Sequence, residues 1–115
     1  MATLATQRGR LYHDALLARG IEVVEQGEAE LARTHEAIFA VKAGRLREAQ
    51  HLLQLQLDGL LAQADAVVLG CTELGLVLDP GTLPAGRVID AADVLAGALA
   101  AKAYGTYSSP TQVPR

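Results

Sequence analysis

A chain with one cysteine cannot close a disulfide on itself, and Cys71 is the only cysteine among these 115 residues. The N-terminus also lacks the basic-then-apolar pattern of a secretory signal, so a reducing, cytoplasmic setting is expected. Tryptophan is absent and aromatics make up 3% of the chain, which leaves almost no surface on which bases or flat cofactors could stack. Lys and Arg total 10 against 13 Asp and Glu, a formal charge of −3 with no basic run; that balance argues against nucleic acid as a partner. No apolar stretch approaches the ~18–20 residues a membrane span needs, so no membrane association is expected. There is no P-loop, no glycine-rich dinucleotide turn and no Cys-x-x-Cys, and His13, His35 and His51 have no metal-ligand spacing. No cofactor and no metal are therefore expected.

What is present is a chain half apolar in composition, long enough for one modest domain. Residues 6–19 read as a helix with Leu11, Ala15, Leu16 and Ala18 to one side and Gly20 as a left-handed C′ residue. Residues 21–24, Ile-Glu-Val-Val, form a β-branched run bounded by glycines and read as a strand. Two amphipathic helices follow. The first, over 28–42, carries Leu31, His35, Ile38 and Val41 on one face; the second, over 45–63, carries Leu46, Ala49, Leu53, Leu57, Leu60 and Leu61. Residues 66–69, Ala-Val-Val-Leu, hold no polar side chain, the pattern of a central strand covered on both faces. A loop over 79–86, a short strand over 87–90 and a helix over 94–104 complete the domain, with Asp90 as an N-cap, and residues 105–115 read as a disordered tail. Strands alternating with helices predict an α/β fold, a small mostly parallel sheet flanked by helices, with ligands at the carboxyl ends of the strands.

Cys71 lies at such an end, inside Gly70-Cys71-Thr72-Glu73. A cysteine can simply be a small buried hydrophobe. At a helix start, however, free N–H groups and the helix dipole favour thiolate, so the Cys71 pKa is expected to fall. Glu73 opposes that effect unless its carboxylate points at a substrate ammonium. Thr3 and Thr6 flank another helix start, where they either hold a carboxylate or, in the plainer reading, supply only an N-cap. Lys42 closes a helix, where a cation offsets the dipole.

These residues carry a family resemblance. Gly70-Cys71-Thr72-Glu73, after an apolar strand and before a Leu-rich turn, resembles the second-cysteine motif of the aspartate/glutamate racemase superfamily. Thr3-x-x-Thr6 followed by Tyr12, Gly20-Ile-Glu-Val, Ile38-Phe-x-Val-Lys42-Ala-Gly44 and Val88-Ile-Asp90 before a terminal helix extend the likeness over about residues 2–104. Glu73-Leu-Gly-Leu76 is most similar to the aspartate and broad-specificity amino-acid racemases; glutamate racemases usually carry His at the position of Glu73.

The resemblance implies a cofactor-independent racemase of two similar α/β halves, each giving one cysteine to opposite sides of the substrate α-carbon. Residues 1–104 would be the C-terminal half, with most of its first strand missing. Cys71 would be one acid/base thiol, Thr72, Thr3 and Thr6 carboxylate contacts, Glu73 a further substrate contact, and Lys42 a cation for a side-chain carboxylate. The expected partners are an amino-acid substrate and either the missing N-terminal half or a second copy of the chain. Two other readings remain: an inactive remnant or binding module, and a single-cysteine decarboxylase of malonates, although those relatives do not usually keep the Thr-Glu pair.

Overall fold

The computed structural model describes residues 1–78 and 82–105. The elements run α1 (Leu4–Arg8), α2 (Leu11–Leu17), α3 (Glu28–Lys42), α4 (Leu46–Leu61), β1 (Val67–Leu69), α5 (Leu74–Val77), β2 (Val88–Asp90) and α6 (Ala91–Ala103). The result is a small α/β domain in which helices dominate.

The body of the fold is the α3–α4 hairpin. Glu30 accepts a hydrogen bond from Gly27 N–H at 2.8 Å, and Lys42 sits in the last turn of α3, each charge complementing the helix end beside it. Gly44, at φ 78°, reverses the chain, with Arg45 N–H donating to Ala40 C=O and Gly44 N–H to Val41 C=O; this is a Schellman cap that needs a left-handed residue. Ala37, Ile38 and Val41 of α3 pack with Ala49, Leu53, Leu57 and Leu60 of α4, and all seven are buried. Full burial of one Leu or Ile is worth about 1.5–3 kcal/mol, whereas an exposed ion pair such as Arg8–Glu28 contributes ~0–1 kcal/mol. The apolar seam therefore holds the hairpin. One buried polar clip crosses it: Gln56 Nε2 donates to Thr34 Oγ1 at 3.2 Å and to Glu30 C=O at 2.5 Å. Neither Gln56 nor Thr34 stood out in the apolar periodicity, because each is buried through its hydrogen bonds.

β1 and β2 form a two-stranded parallel sheet with Val67 opposite Val88, Val68 opposite Ile89 and Leu69 opposite Asp90. Val67 and Leu69 are buried, Val68 is half-buried and Ala66 is exposed and outside the strand. One face is thus packed and the other only partly covered, where burial on both faces was expected. The opposite edge of β1 is also occupied. The Met1 α-amino group donates to Val68 C=O at 2.8 Å, and Gly70 N–H donates to Met1 C=O at 2.8 Å. Those two bonds are one rung of a parallel ladder.

The expected helix over 6–19 is in fact two. Thr3, not Thr6, is the N-cap, its Oγ1 accepting from Thr6 N–H at 3.3 Å. The helix stops at Gly9, and Arg10 takes φ 56°, a left-handed conformation that costs a non-glycine residue; Arg10 pairs there with Asp14 at 3.6 Å and Glu25 at 3.5 Å. Gly20 does take the left-handed C′ position expected of it, at φ 72°, closing a second Schellman cap through Ile21 N–H to Leu16 C=O. Residues 21–24 do not form a strand. They line one wall of a cavity of about 450 Å3 whose other wall includes residues 66–68, and among the described residues no strand lies beside this β-branched run to pair with it. α6 starts at Ala91 with Asp90 as the expected N-cap, its Oδ1 accepting from Ala92 N–H at 3.0 Å and Asp93 N–H at 3.4 Å. No residue of α6 is buried. The expected tail at 106–115 and residues 79–81 of the expected loop lie outside the described residues. Among the described residues no helix is long and apolar enough to cross a membrane.

Candidate functional site around Cys71

β1 ends at Leu69, and Gly70 turns the chain into Cys71. A side chain on Gly70 would have nowhere to go, since a Cβ there would lie 2.6 Å from Tyr12 Cε2. Tyr12 thus lies against the turn, and only glycine permits that approach. After the turn, Leu74 N–H donates to Cys71 C=O at 3.1 Å and starts the four-residue α5. Gly75 in α5 is similarly constrained, because a Cβ would collide with the Asp90 carboxylate. Asp90, opposite Leu69 across the sheet, therefore both caps α6 and packs on α5. Its contact with Gly75 had no signal in the sequence, where the two are fifteen positions apart.

The structure gathers four of the six expected site residues into one network. Cys71 Sγ–H donates to Glu73 Oε2 at 2.8 Å, and Thr72 Oγ1 donates to the same oxygen at 3.0 Å. The other carboxylate oxygen, Glu73 Oε1, is 3.8 Å from Lys42 Nζ. Lys42 also lies over the Phe39 ring, 5.4 Å from its centroid, so it is held at this site instead of simply trailing into solvent from the end of α3. Cys71 and Glu73 are half-buried, while Thr72 and Lys42 are exposed. Thr3 and Thr6 bond to each other, Thr3 Oγ1 donating to Thr6 Oγ1 at 3.0 Å. They belong to the same end of the sheet, since Met1 is paired beside Leu69 and the chain leaves in the direction of Cys71.

The electrostatics overturn one expectation. The Cys71 pKa is raised, first by burial and then by the hydrogen bond and negative charge of Glu73. The helix that was to lower it has only four residues and starts at Leu74, with Glu73 as its N-cap, too short and too far along for its dipole to compete with a carboxylate in contact. Glu73 is correspondingly more acidic than usual, chiefly through the hydrogen bond from Cys71. The resting pair is thus thiol and carboxylate. Of the histidines, His13 is buried with Nε2 at 3.4 Å from Glu25, His35 is half-buried against Phe39 at 4.8 Å, and His51 is exposed. Among the described residues no group of three or more His, Cys, Asp or Glu side chains is arranged to hold a metal ion.

A sequence model described as Asp/Glu/Hydantoin racemase matches residues 1–99, almost the whole of the described chain. The chain belongs to that family. Cys71 and its neighbours lie at the strand end where α/β folds commonly take ligands. The chain is similar also to an "Uncharacterized protein in pnlA 3'region" from Pectobacterium carotovorum subsp. carotovorum. The two are 38% identical over 80 residues, which cover 69% of this chain and 53% of that one. The chain therefore spans about half the length of this curated relative.

Proposed function

We propose that this chain supplies one half-site of an amino-acid racemase that needs neither pyridoxal phosphate nor metal and acts on aspartate or a broader set of amino acids. The observation that carries the reading is the Cys71 thiol, kept protonated by burial and by Glu73 at the carboxyl end of β1. A protonated thiol is the form needed to deliver a proton to one face of a carbanion. The α-proton leaves from the opposite face to a thiolate on the complementing half; Cys71 then gives its proton to the α-carbon and is left as thiolate, ready for the reverse turn. One group cannot serve both faces of the same carbon. Substrate binding is coupled to this state through Glu73, which turns from Cys71 to the substrate ammonium and so releases both the thiol and Lys42. Lys42 then meets a side-chain carboxylate, and Thr72 with Thr3 and Thr6 receives the α-carboxylate through hydroxyl and N–H donors.

The test is exchange of the α-hydrogen of aspartate, and of a panel of other amino acids, in deuterated water without added cofactor. The pure chain is expected to be inactive. Addition of an N-terminal half carrying the second cysteine, fused or co-expressed, is expected to produce activity that Cys71→Ser abolishes, because a serine hydroxyl is far too weak an acid and base at neutral pH. Undiminished exchange in Cys71→Ser rules out the role given to Cys71. A rate rising with the square of chain concentration identifies two copies of Cys71 as the pair, and inactivity of the reconstituted protein on the whole panel identifies a remnant or binding module.

A further inference from the structure

Phe39 is the only phenylalanine of the chain, and the core does not use it. It is 53% exposed, on a helix whose inward face is already filled by Ala37, Ile38, Ala40 and Val41. Burial therefore does not explain an aromatic ring at this position. Its neighbours do. His35, Phe39 and Lys42 follow one another at i, i+4 and i+7, which sets them in one row along α3. The His35 ring packs against the Phe39 ring, with centroids 4.8 Å apart and planes at 57°, and Lys42 Nζ stands over the same Phe39 ring, 5.4 Å from its centroid. The row ends at Glu73, whose Oε1 is 3.8 Å from Nζ. An exposed ion pair at that distance is worth little against the rotamer freedom of a lysine, so Glu73 by itself holds Lys42 weakly. An aromatic face adds attraction without competing for the carboxylate, because it acts through the ring quadrupole and takes up no hydrogen bond.

We propose that Phe39 is a positioning residue of the Cys71 site: its ring holds the Lys42 ammonium beside the Cys71–Glu73 pair and thereby selects substrates that carry a second carboxylate. The contact matters most once Glu73 has turned to the substrate ammonium. The counter-ion of Lys42 is then gone, whereas the Phe39 face is still beneath it, so Nζ keeps its place for a side-chain carboxylate. Leucine at position 39 would fill similar space without the quadrupole; tyrosine would keep it. The held lysine also bears on the thiol. Burial and Glu73 raise the Cys71 pKa, and the Lys42 charge acts against them. The selectivity rests on the racemase reading, but the holding of Lys42 does not.

The experiment uses the 115-residue chain and needs no enzyme activity. Lys42 and Lys102 are its only lysines, so the side-chain methylene resonances of Lys42, displaced by the ring current of Phe39, can be read against those of Lys102. The displacement is expected to vanish in Phe39→Leu and to persist in Phe39→Tyr. Alkylation of Cys71 by iodoacetamide is then followed against pH. Phe39→Leu should move the profile to higher pH and slow the reaction at pH 8 by about twofold or more. Phe39→Tyr should restore it, and Phe39→Leu should change nothing further in a Lys42→Met background. Undisplaced Lys42 resonances in the parent chain, or equal slowing with and without Lys42, overturn the proposal, since the second marks a merely structural role. In the reconstituted racemase, Phe39→Leu is expected to raise KM for aspartate about two- to fivefold, the equivalent of about 0.5–1 kcal/mol, with kcat and the KM for alanine unchanged. An equal rise for alanine overturns the selectivity. Displaced Lys42 resonances in a chain that no N-terminal half activates uphold the positioning and count against the racemase reading alone.

Discussion

Glu73 is the residue on which the Cys71 site turns. Its carboxylate accepts from both Cys71 and Thr72 and pairs with Lys42, so it holds the thiol proton in place and adds to burial in raising the Cys71 pKa. Glu73→Gln removes the charge, and iodoacetamide should then alkylate Cys71 at pH 8 at least about threefold faster, because only thiolate reacts. A full pH–rate profile should show the curve displaced to lower pH; an unchanged profile contradicts the electrostatic account. A second group with a displaced pKa is the α-amino group of Met1, buried beside β1 and lowered to about 6 from an ordinary 8. The unfolded chain binds this proton first as pH falls. This contribution to stability is therefore complete above pH 8 and declines between 8 and 6, by about 3 kcal/mol at most. Urea unfolding of the free and N-acetylated chains across that range should show the decline in the free chain only.

Capping decides where the elements stop. α4 ends against Arg87, whose Nη2 donates to Leu61 C=O at 2.6 Å and Ala64 C=O at 2.9 Å while Nε donates to Asp65 C=O at 3.0 Å. The last carbonyls of a helix have no partners within it, and here a guanidinium from the residue before β2 supplies them. Arg87 thus ties the largest helix to the start of the sheet. Arg87→Ala should lower stability by about 1–2 kcal/mol, since the bonds are charge-assisted but exposed, and should speed amide exchange in β2 more than in α3. Equal loss throughout the domain would argue for a general effect in place of a local tie. The same reasoning explains the breaks and caps that single residues impose. Gly20 and Gly44 were legible as caps because glycine tolerates positive φ. The left-handed Arg10 was not, since arginine has no such preference.

Across the molecule, apolar surface is unevenly covered. The α3–α4 seam is fully packed, whereas Val94, Leu95 and Leu99 of α6 and Tyr104 just beyond it are exposed. A helix so apolar and so uncovered is expected to bind a hydrophobic dye. The chain should enhance the fluorescence of anilinonaphthalene sulfonate in its native state, and Leu95→Glu with Leu99→Glu should reduce that signal by more than about half while far-UV circular dichroism is kept. Dye binding that is untouched by the pair of substitutions would locate the exposed surface elsewhere, in the cavity beside β1.

Local interactions were legible in the residues: the two amphipathic helices, Gly20 and Gly44 as caps, Asp90 as an N-cap, and the apolar strand that delivers Cys71 to its end. Each depends on periodicity or on the conformational range of one residue type, and both are properties of short stretches of chain. The family likeness was legible for the same reason, because Gly70 to Glu73 form one uninterrupted motif. Non-local placement was not. Whether residues 21–24 become a strand depends on what lies beside them, and the β-branched pattern alone could not reveal that among the described residues a cavity, not a strand, lies there. The sign of the Cys71 pKa shift depended first on how far packing buries the thiol and then on where Glu73 points, with its carboxylate at 2.8 Å. Lys42 joined the site only because α3 ends beside the turn after β1, a juxtaposition made by packing between residues 31 positions apart.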